Sequence, residues 1–360
     1  MYINTSYAVY LRIINATRKT IESFTLYSFD ILLHFKDTCQ IIETFFIKIV
    51  ILIYKQKGVH MSDFVLSCCS TVDLTKEYLA KRSINCIYFN YELDGVAFKD
   101  DFGASNSSHE IFERMLKGAD AKTSCVSTGA YIQSWTPFLE QGKDIVHVCL
   151  SSAISGTYNA ACTAQEELQQ RFPARRIEVV DSLNASAGFG LLVDKLADLR
   201  DEGMDAKEVS AWAQKNRLNI QAWFFTSDLR FFIKGGRVSK TAGAIGGLLK
   251  ICPILAISQT GALEVVEKVR TKNRAIKRLV DIMKATIPNP QEISGKVFLS
   301  NSDCETDALE LTSQIQNAFP SLEPSSIQNF EIGATIGCHT GPGTVAVFYW
   351  GKEREVSSKQ

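Results

Sequence analysis

Asp144-Ile145-Val146-His147-Val148-Cys149-Leu150 runs directly into Ser151-Ser152-Ala153-Ile154-Ser155-Gly156-Thr157-Tyr158. The first stretch is an apolar run of strand length and the second a hydroxyl-rich turn. Thr157–Arg171 then shows helical periodicity, ending at Pro173. Arg176-Ile177-Glu178-Val179-Val180 is the next apolar run. Strand, polar turn, helix, strand is the pattern of a parallel α/β sheet, whose ligands sit beyond the carboxyl ends of the strands.

Working outward, Phe64-Val65-Leu66-Ser67-Cys68-Cys69 and Asn85-Cys86-Ile87-Tyr88-Phe89 read as further strands, with Ser70-Thr71-Val72-Asp73-Leu74 as a turn into a helix. Ala185–Arg200 reads as an amphipathic helix closed by Gly203. Beyond it the pattern changes. Ala222-Trp223-Phe224-Phe225 is a strand candidate, and Ile254–Ile257 and Leu263–Val269 flank a Gln259-Thr260-Gly261 turn as a hairpin. Asn273–Ile287 and Asp303–Phe319 read as helices, Lys296–Ser300 and Val345–Trp350 as strands. The expectation is a Rossmann-like parallel-sheet domain over 61–226, followed by a smaller α+β domain over 227–354.

Residues 1–60 are a different text. They hold eleven isoleucines, one glycine and no proline, while all eight prolines lie later. The longest apolar stretch, Ile41–Tyr54, has fourteen residues and contains Glu43 and Lys48, against the roughly twenty apolar residues a spanning helix needs. No secretory-signal pattern fits either. Met61-Ser62-Asp63-Phe64-Val65-Leu66 reads as a natural start. The segment is therefore expected to be an atypical extension from a misplaced start codon, the alternative being an interfacial amphipathic anchor.

Lys and Arg number 39 and Asp and Glu 39. That balance lacks the electrostatic footprint of a nucleic-acid-binding protein. The ten cysteines form no C-x-x-C pair, which reads as reduced, mostly buried thiols in a cytoplasmic protein. The five histidines are isolated, so no metal site is expected.

The chemistry-bearing positions are hydroxyls. Ser151–Tyr158 places four Ser and Thr residues and Gly156 at a strand end, a natural seat for an anion. Thr123-Ser124-Cys125-Val126-Ser127 and Asp181-Ser182-Leu183-Asn184-Ala185-Ser186 read as two more such loops. Three of them on one sheet edge would line one crevice. Hydroxyls without a nearby Lys or Arg suit a single carboxylate better than a triphosphate, and no Walker-type phosphate loop occurs. Lys234-Gly235-Gly236-Arg237-Val238-Ser239 is a tight turn with two cations, and His339 stands in a glycine-flanked loop before Gly341-Pro342-Gly343.

In combination these motifs resemble the DegV family of bacterial fatty acid-binding proteins. The matching pieces are Ser70-Thr71-Val72-Asp73-Leu74, Thr123-Ser124-x-x-Ser127, Ser151–Tyr158, Val180-Asp181-Ser182, Lys234–Ser239 and His339–Gly343, in the family's order over about residues 62–352. Two positions depart from the pattern: Cys69 stands where an acidic residue usually precedes the Ser-Thr pair, and Val126 replaces a proline. The resemblance implies an α/β domain and a smaller α+β domain with one fatty acid in a tunnel between or within them. It implies a lipid-binding protein, not an enzyme, that presents the carboxylate to a fatty acid kinase for acyl-phosphate formation feeding phospholipid synthesis. It assigns the carboxylate to Thr123, Ser155 and His339, with Ser124, Gly156 and Ser127 in support, and kinase handling to Arg270, with Arg237 as the next candidate. No cofactor or nucleic-acid partner is implied; transient membrane contact fits such a role.

Burying about fifteen methylenes at about 0.8 kcal/mol each gives roughly 12 kcal/mol of gross driving force, much of it offset by immobilising the chain. The tail supplies affinity and the hydroxyls position the head. Two rivals stand beside this reading. One is a serine hydrolase with Ser155 as nucleophile and His339 as base, although no G-x-S-x-G elbow occurs. The other is a carrier of a different amphiphile with no kinase.

Overall fold

The computed structural model describes residues 64–239, 251–293 and 295–355. The segment 1–60, with the questions its composition raises, lies outside the described residues. Ser62–Gln360 forms one compact unit.

In chain order the strands are β1 (Phe64–Cys69), β2 (Asn85–Ile87), β3 (Asn90–Leu93), β4 (Val96–Lys99), β5 (Ala121–Ser124), β6 (Asp144–Cys149), β7 (Ile177–Asp181), β8 (Ile220–Thr226), β9 (Ile251–Ile257), β10 (Leu263–Arg270), β11 (Val297–Asn301), β12 (Ile327–Glu331) and β13 (Thr344–Trp350). The α-helices are α1 (Lys76–Lys81), α2 (Ser108–Leu116), α3 (Thr128–Glu140), α4 (Thr157–Arg171), α5 (Ser186–Asp201), α6 (Ala206–Asn216), α7 (Arg230–Lys234), α8 (Lys272–Thr286), α9 (Glu305–Ala318) and α10 (Ala334–Thr340).

The opening strand–turn–helix–strand unit is present as read: β6, α4 and β7 lie in a parallel sheet of order β2-β1-β6-β7. Its central strands β1 and β6 are buried on both faces, which is why they read as continuous apolar runs without alternation. A six-stranded sheet of order β10-β9-β8-β13-β11-β12 follows, antiparallel except for the β11–β12 pair. The architecture is therefore mixed α/β, as expected. The strand that ends at Thr226, where the sequence places its boundary, pairs with β9 and β13. The change of sheet along the chain thus falls before Ile220. A third sheet, β4-β3-β5, has strands of four residues each, and composition does not signal it.

Helix α5 packs against β1 and β6 on one side and β8, β11 and β13 on the other. Twelve of its residues, from Ser186 to Leu199, are buried, so the helix is apolar nearly all round. One continuous core joins Leu66 and Val148 of the parallel sheet, Leu192 and Leu196 of α5, and Phe298 and Phe348 of the second sheet. A separate cluster under α8 and α9, including Leu279, Met283, Leu311 and Ile315, covers the opposite face of the six-stranded sheet. Capping is local and conventional: Ser107 and Glu110 form a capping box on α2, Asp205 and Glu208 another on α6, and Ser127 caps α3. The nine described cysteines are all free.

Candidate functional site

A cleft enclosing about 830 Å³ of empty space, its open mouth included, lies among the ends of β5, β6 and β8, the β9–β10 hairpin and α10. Most of its wall is apolar: Phe89, Leu150, Phe224, Phe232, Ile257, Leu263, Ile336 and Phe348. Thr123, Cys125, Ser155, Arg237 and His339 also line it and form one polar cluster.

The cluster is assembled from distant segments. Thr123 lies near the end of β5 and Ser155 in the turn after β6, just before α4. Arg237 follows α7 in the double-glycine turn, and His339 is the penultimate residue of α10. Thr123 Oγ1 is 2.8 Å from His339 Nε2, and Arg237 Nη1 is 3.3 Å from His339 Nδ1. Arg237 also donates to Gly235 O at 2.6 Å and Ile154 O at 3.2 Å, which holds the guanidinium in place. A guanidinium only donates, so Nδ1 accepts and the ring proton sits on Nε2. Nε2–H then donates to Thr123 Oγ1, and the Thr123 hydroxyl proton is free for a ligand. Burial, with Arg237 adding to it, pushes the His339 pKa from 6.5 down to about 4, so the ring is neutral at neutral pH. Burial lowers Arg237 as well. Ser155 Oγ accepts from Thr157 N–H at 3.3 Å and lies 3.6 Å from Cys125 Sγ, a contact in which either atom can donate.

The structure thus brings Thr123, Ser155 and His339 together. It corrects four details of the sequence reading. Thr123 and Ser124 belong to a strand, not a loop. His339 sits on a short helix; Gly337 is inside that helix, where a Cβ would meet the Phe112 ring at 2.9 Å. The hydroxyl site has a cation beside it, because Arg237 lines the same cleft. Arg270 does not: it is exposed at the far end of β10, opposite Ile251, whereas Leu263 at the near end lines the cleft. Seven residues of strand separate the two, about 23 Å at the usual rise.

Ser124, Ser127 and Gly156 do not line the cleft. Ser127 is occupied in capping α3, and Gly156 packs near Cys125. Ala185 and Ser186, from the third hydroxyl-rich segment, do line it. The sequence reading missed the contribution of Cys125; its place between Thr123 and Ser127 was the only signal.

The pairing of Ser155 with His339 that a hydrolase would need is not formed. His339 bonds Thr123, not Ser155, and a guanidinium, not a carboxylate, stands behind the ring. Among the described residues no group of three His, Cys, Asp or Glu side chains could hold a metal, and no helix is long and apolar enough to cross a membrane.

The family described as "Uncharacterised protein, DegV family" matches residues 69–352. A DegV domain-containing protein of Clostridium perfringens is 32% identical over 295 residues, covering 82% of this chain and 100% of its own. Among solved structures, a DegV family protein of Thermus thermophilus described by its fatty acid binding superposes with TM-score 0.72 at 25% identity, covering 80% of this chain and 99% of its own. A Thermotoga maritima protein described as revealing fatty acid binding function gives 0.69 at 26%, over 81% and 99%. The fatty acid kinase B3 protein of Streptococcus pneumoniae, loaded with linoleic acid, gives 0.70 at 24%, over 80% and 99%, a likeness of fold.

Proposed function

This chain belongs to the DegV family, and we propose that it binds a long-chain fatty acid and presents its carboxylate to a fatty acid kinase. The observation that carries the reading is the cleft itself: an apolar wall opening onto the Thr123 and Ser155 hydroxyls, a neutral imidazole and one guanidinium. The acyl chain lies along the phenylalanines and aliphatic residues, and Thr123 and Ser155 donate to the carboxylate. Arg237 supplies its positive charge through His339 and from the cleft wall. Neutral donors fix the head group without fully neutralising it, so one carboxylate oxygen keeps its nucleophilicity. In the kinase step that oxygen attacks the γ-phosphorus of ATP, a P–O bond forms and ADP leaves. Charge spreads onto the transferred phosphoryl group, where nearby donors and cations count most. The acyl-phosphate then feeds phospholipid synthesis.

The test is mass spectrometry of the purified protein, followed by incubation with a fatty acid kinase and ATP. One long-chain fatty acid per chain and its conversion to acyl-phosphate are the expected results. A different bound amphiphile, or fatty acid that the kinase leaves untouched, would replace this reading with that of a plain carrier.

A further inference from the structure

Helix α10 carries Thr335, Ile336, His339 and Thr340 of the cleft wall, yet its N-cap is Gly333, which has no side chain to cap with. Its first N–H groups are taken up from far along the chain. Gly333 N–H donates to Asp73 Oδ1 at 3.0 Å, Ala334 N–H to Asp100 Oδ1 at 3.2 Å and Thr335 N–H to Asp100 Oδ2 at 3.2 Å. Both aspartates are buried, at 5% and 2% exposure. Hydroxyls, not cations, also donate to them: Ser186 Oγ to Asp73, and Ser70 Oγ to Asp100 at 3.2 Å. The titratable groups around them are each other, Tyr91, Cys86 and Cys338.

A buried carboxylate pair without a cation is a costly way to cap a seven-residue helix; a local Ser or Asp would do it more cheaply. The arrangement does something a local cap does not. Ser186 lines the cleft as the first residue of α5, so Asp73 ties that wall to the helix bearing His339. Resting on the function proposed above, we propose that Asp73 and Asp100 are positioning residues for the head-group site: they bind no ligand, but hold α10 so that His339 meets Thr123 and Arg237. Burial raises both pKa values, the nearby Asp100 carboxyl adding to the rise at Asp73, opposed in each by these hydrogen bonds.

A positioning role differs from a merely structural one in what it discriminates. The experiment measures dissociation constants of palmitic acid and methyl palmitate for wild type, Asp100→Asn, Gly333→Ala and Ser70→Ala. A Cβ at Gly333 would stand 3.0 Å from Asp73 Oδ1 and 3.3 Å from Asp100 Oδ1, wedging the pair. Ser70 lies outside the cleft and is the mildest change. Asp100→Asn and Gly333→Ala should weaken the acid about tenfold while leaving the ester within about twofold, and Ser70→Ala should shift the same ratio less. Parallel loss of acid and ester, or unchanged values in all the variants, overturns the positioning role alone. Should Asp100→Asn not fold, Gly333→Ala and Ser70→Ala still decide. A wild type that binds acid and ester equally overturns the head-group reading, and this one with it.

Discussion

His339 is held neutral by burial and by a guanidinium on its Nδ1 side. Because its pKa is about 4 in the fold against 6.5 ordinarily, the unfolded chain binds a proton between those values that the folded chain does not. Stability is therefore fully present above pH 6.5 and falls as pH drops toward 4, by on the order of 3 kcal/mol at the limit. Urea melts of wild type and His339→Gln at pH 7 and pH 5 check this: the variant should lose less on acidification, and equal losses would remove His339 from the account. His147, fully buried and pushed down to about 3 by desolvation, adds a background common to both proteins. In the proposed site, Thr123→Val and Ser155→Ala each remove a donor to a charged head group, an effect of about 1.5–3 kcal/mol, or roughly ten- to a hundredfold in affinity. Calorimetric titration with palmitate should show that loss with melting temperatures little changed; unaltered affinity in both would place the carboxylate elsewhere. Thr123, Ser155 and His339 are legible in the sequence because hydroxyls and glycines at strand ends have a local pattern. Arg237 is legible only as the next candidate after Arg270, and its place beside the hydroxyls is not, because its contact with His339 spans 102 residues.

At the scale of elements, what the sequence reveals depends on length and burial. α4 is read to the residue, since fifteen residues of periodicity end at a proline. β3, β4 and β5 escape because four residues carry too few alternations to register. α10 escapes because its seven residues include Gly337 and end at Gly341, so glycine reads as loop where it serves close packing on Phe112. The β9–β10 hairpin is legible, but not its role as a wall: Ile257 and Leu263 face the cleft from either side of its turn. That turn is fastened at several points. Ser151 Oγ donates to Gly261 O at 2.9 Å, and Arg354 donates to Ile257 O and Ser258 O on one side and to Leu183 O on the other. Gly261 has φ +81°, and a Cβ there would lie 2.1 Å from Ser151 Oγ. Gly261→Ala should thus lift the hairpin from the Ser151 turn, costing about 1–3 kcal/mol. In a stopped-flow displacement assay bound fatty acid should leave faster than from wild type. An unchanged off-rate would mean that the hairpin does not close the cleft.

For the molecule as a whole, Arg270, expected to serve the kinase step, and Arg237, the next candidate for it, stand in different places and should fail differently. Arg237 is half-buried at the polar cluster, while Arg270 is exposed on the edge strand of the six-stranded sheet, about 23 Å of strand away from Leu263. It does not line the cleft. In the proposed kinase complex its exposed position suits contact with the outer surface of the partner, where a rim charge acts on association and is screened by salt. Arg270→Ala should therefore leave fatty acid content unchanged by mass spectrometry. It should raise the apparent KM of the kinase for the loaded protein severalfold with kcat preserved, and the deficit should shrink at high salt, where wild type loses the same attraction. Arg237→Ala should lower kcat and fatty acid affinity together, because Nδ1 of His339 loses its donor, the ring proton is no longer fixed on Nε2, and Thr123 no longer has an assured free proton for the ligand. Arg237→Lys should rescue poorly: an ammonium cannot reach Ile154 O, Gly235 O and His339 at once as the planar fork does. A fall in kcat with Arg270→Ala at saturating loaded protein would require the kinase complex to bring that strand end to the reacting atoms, and would overturn the division of labour drawn from this geometry.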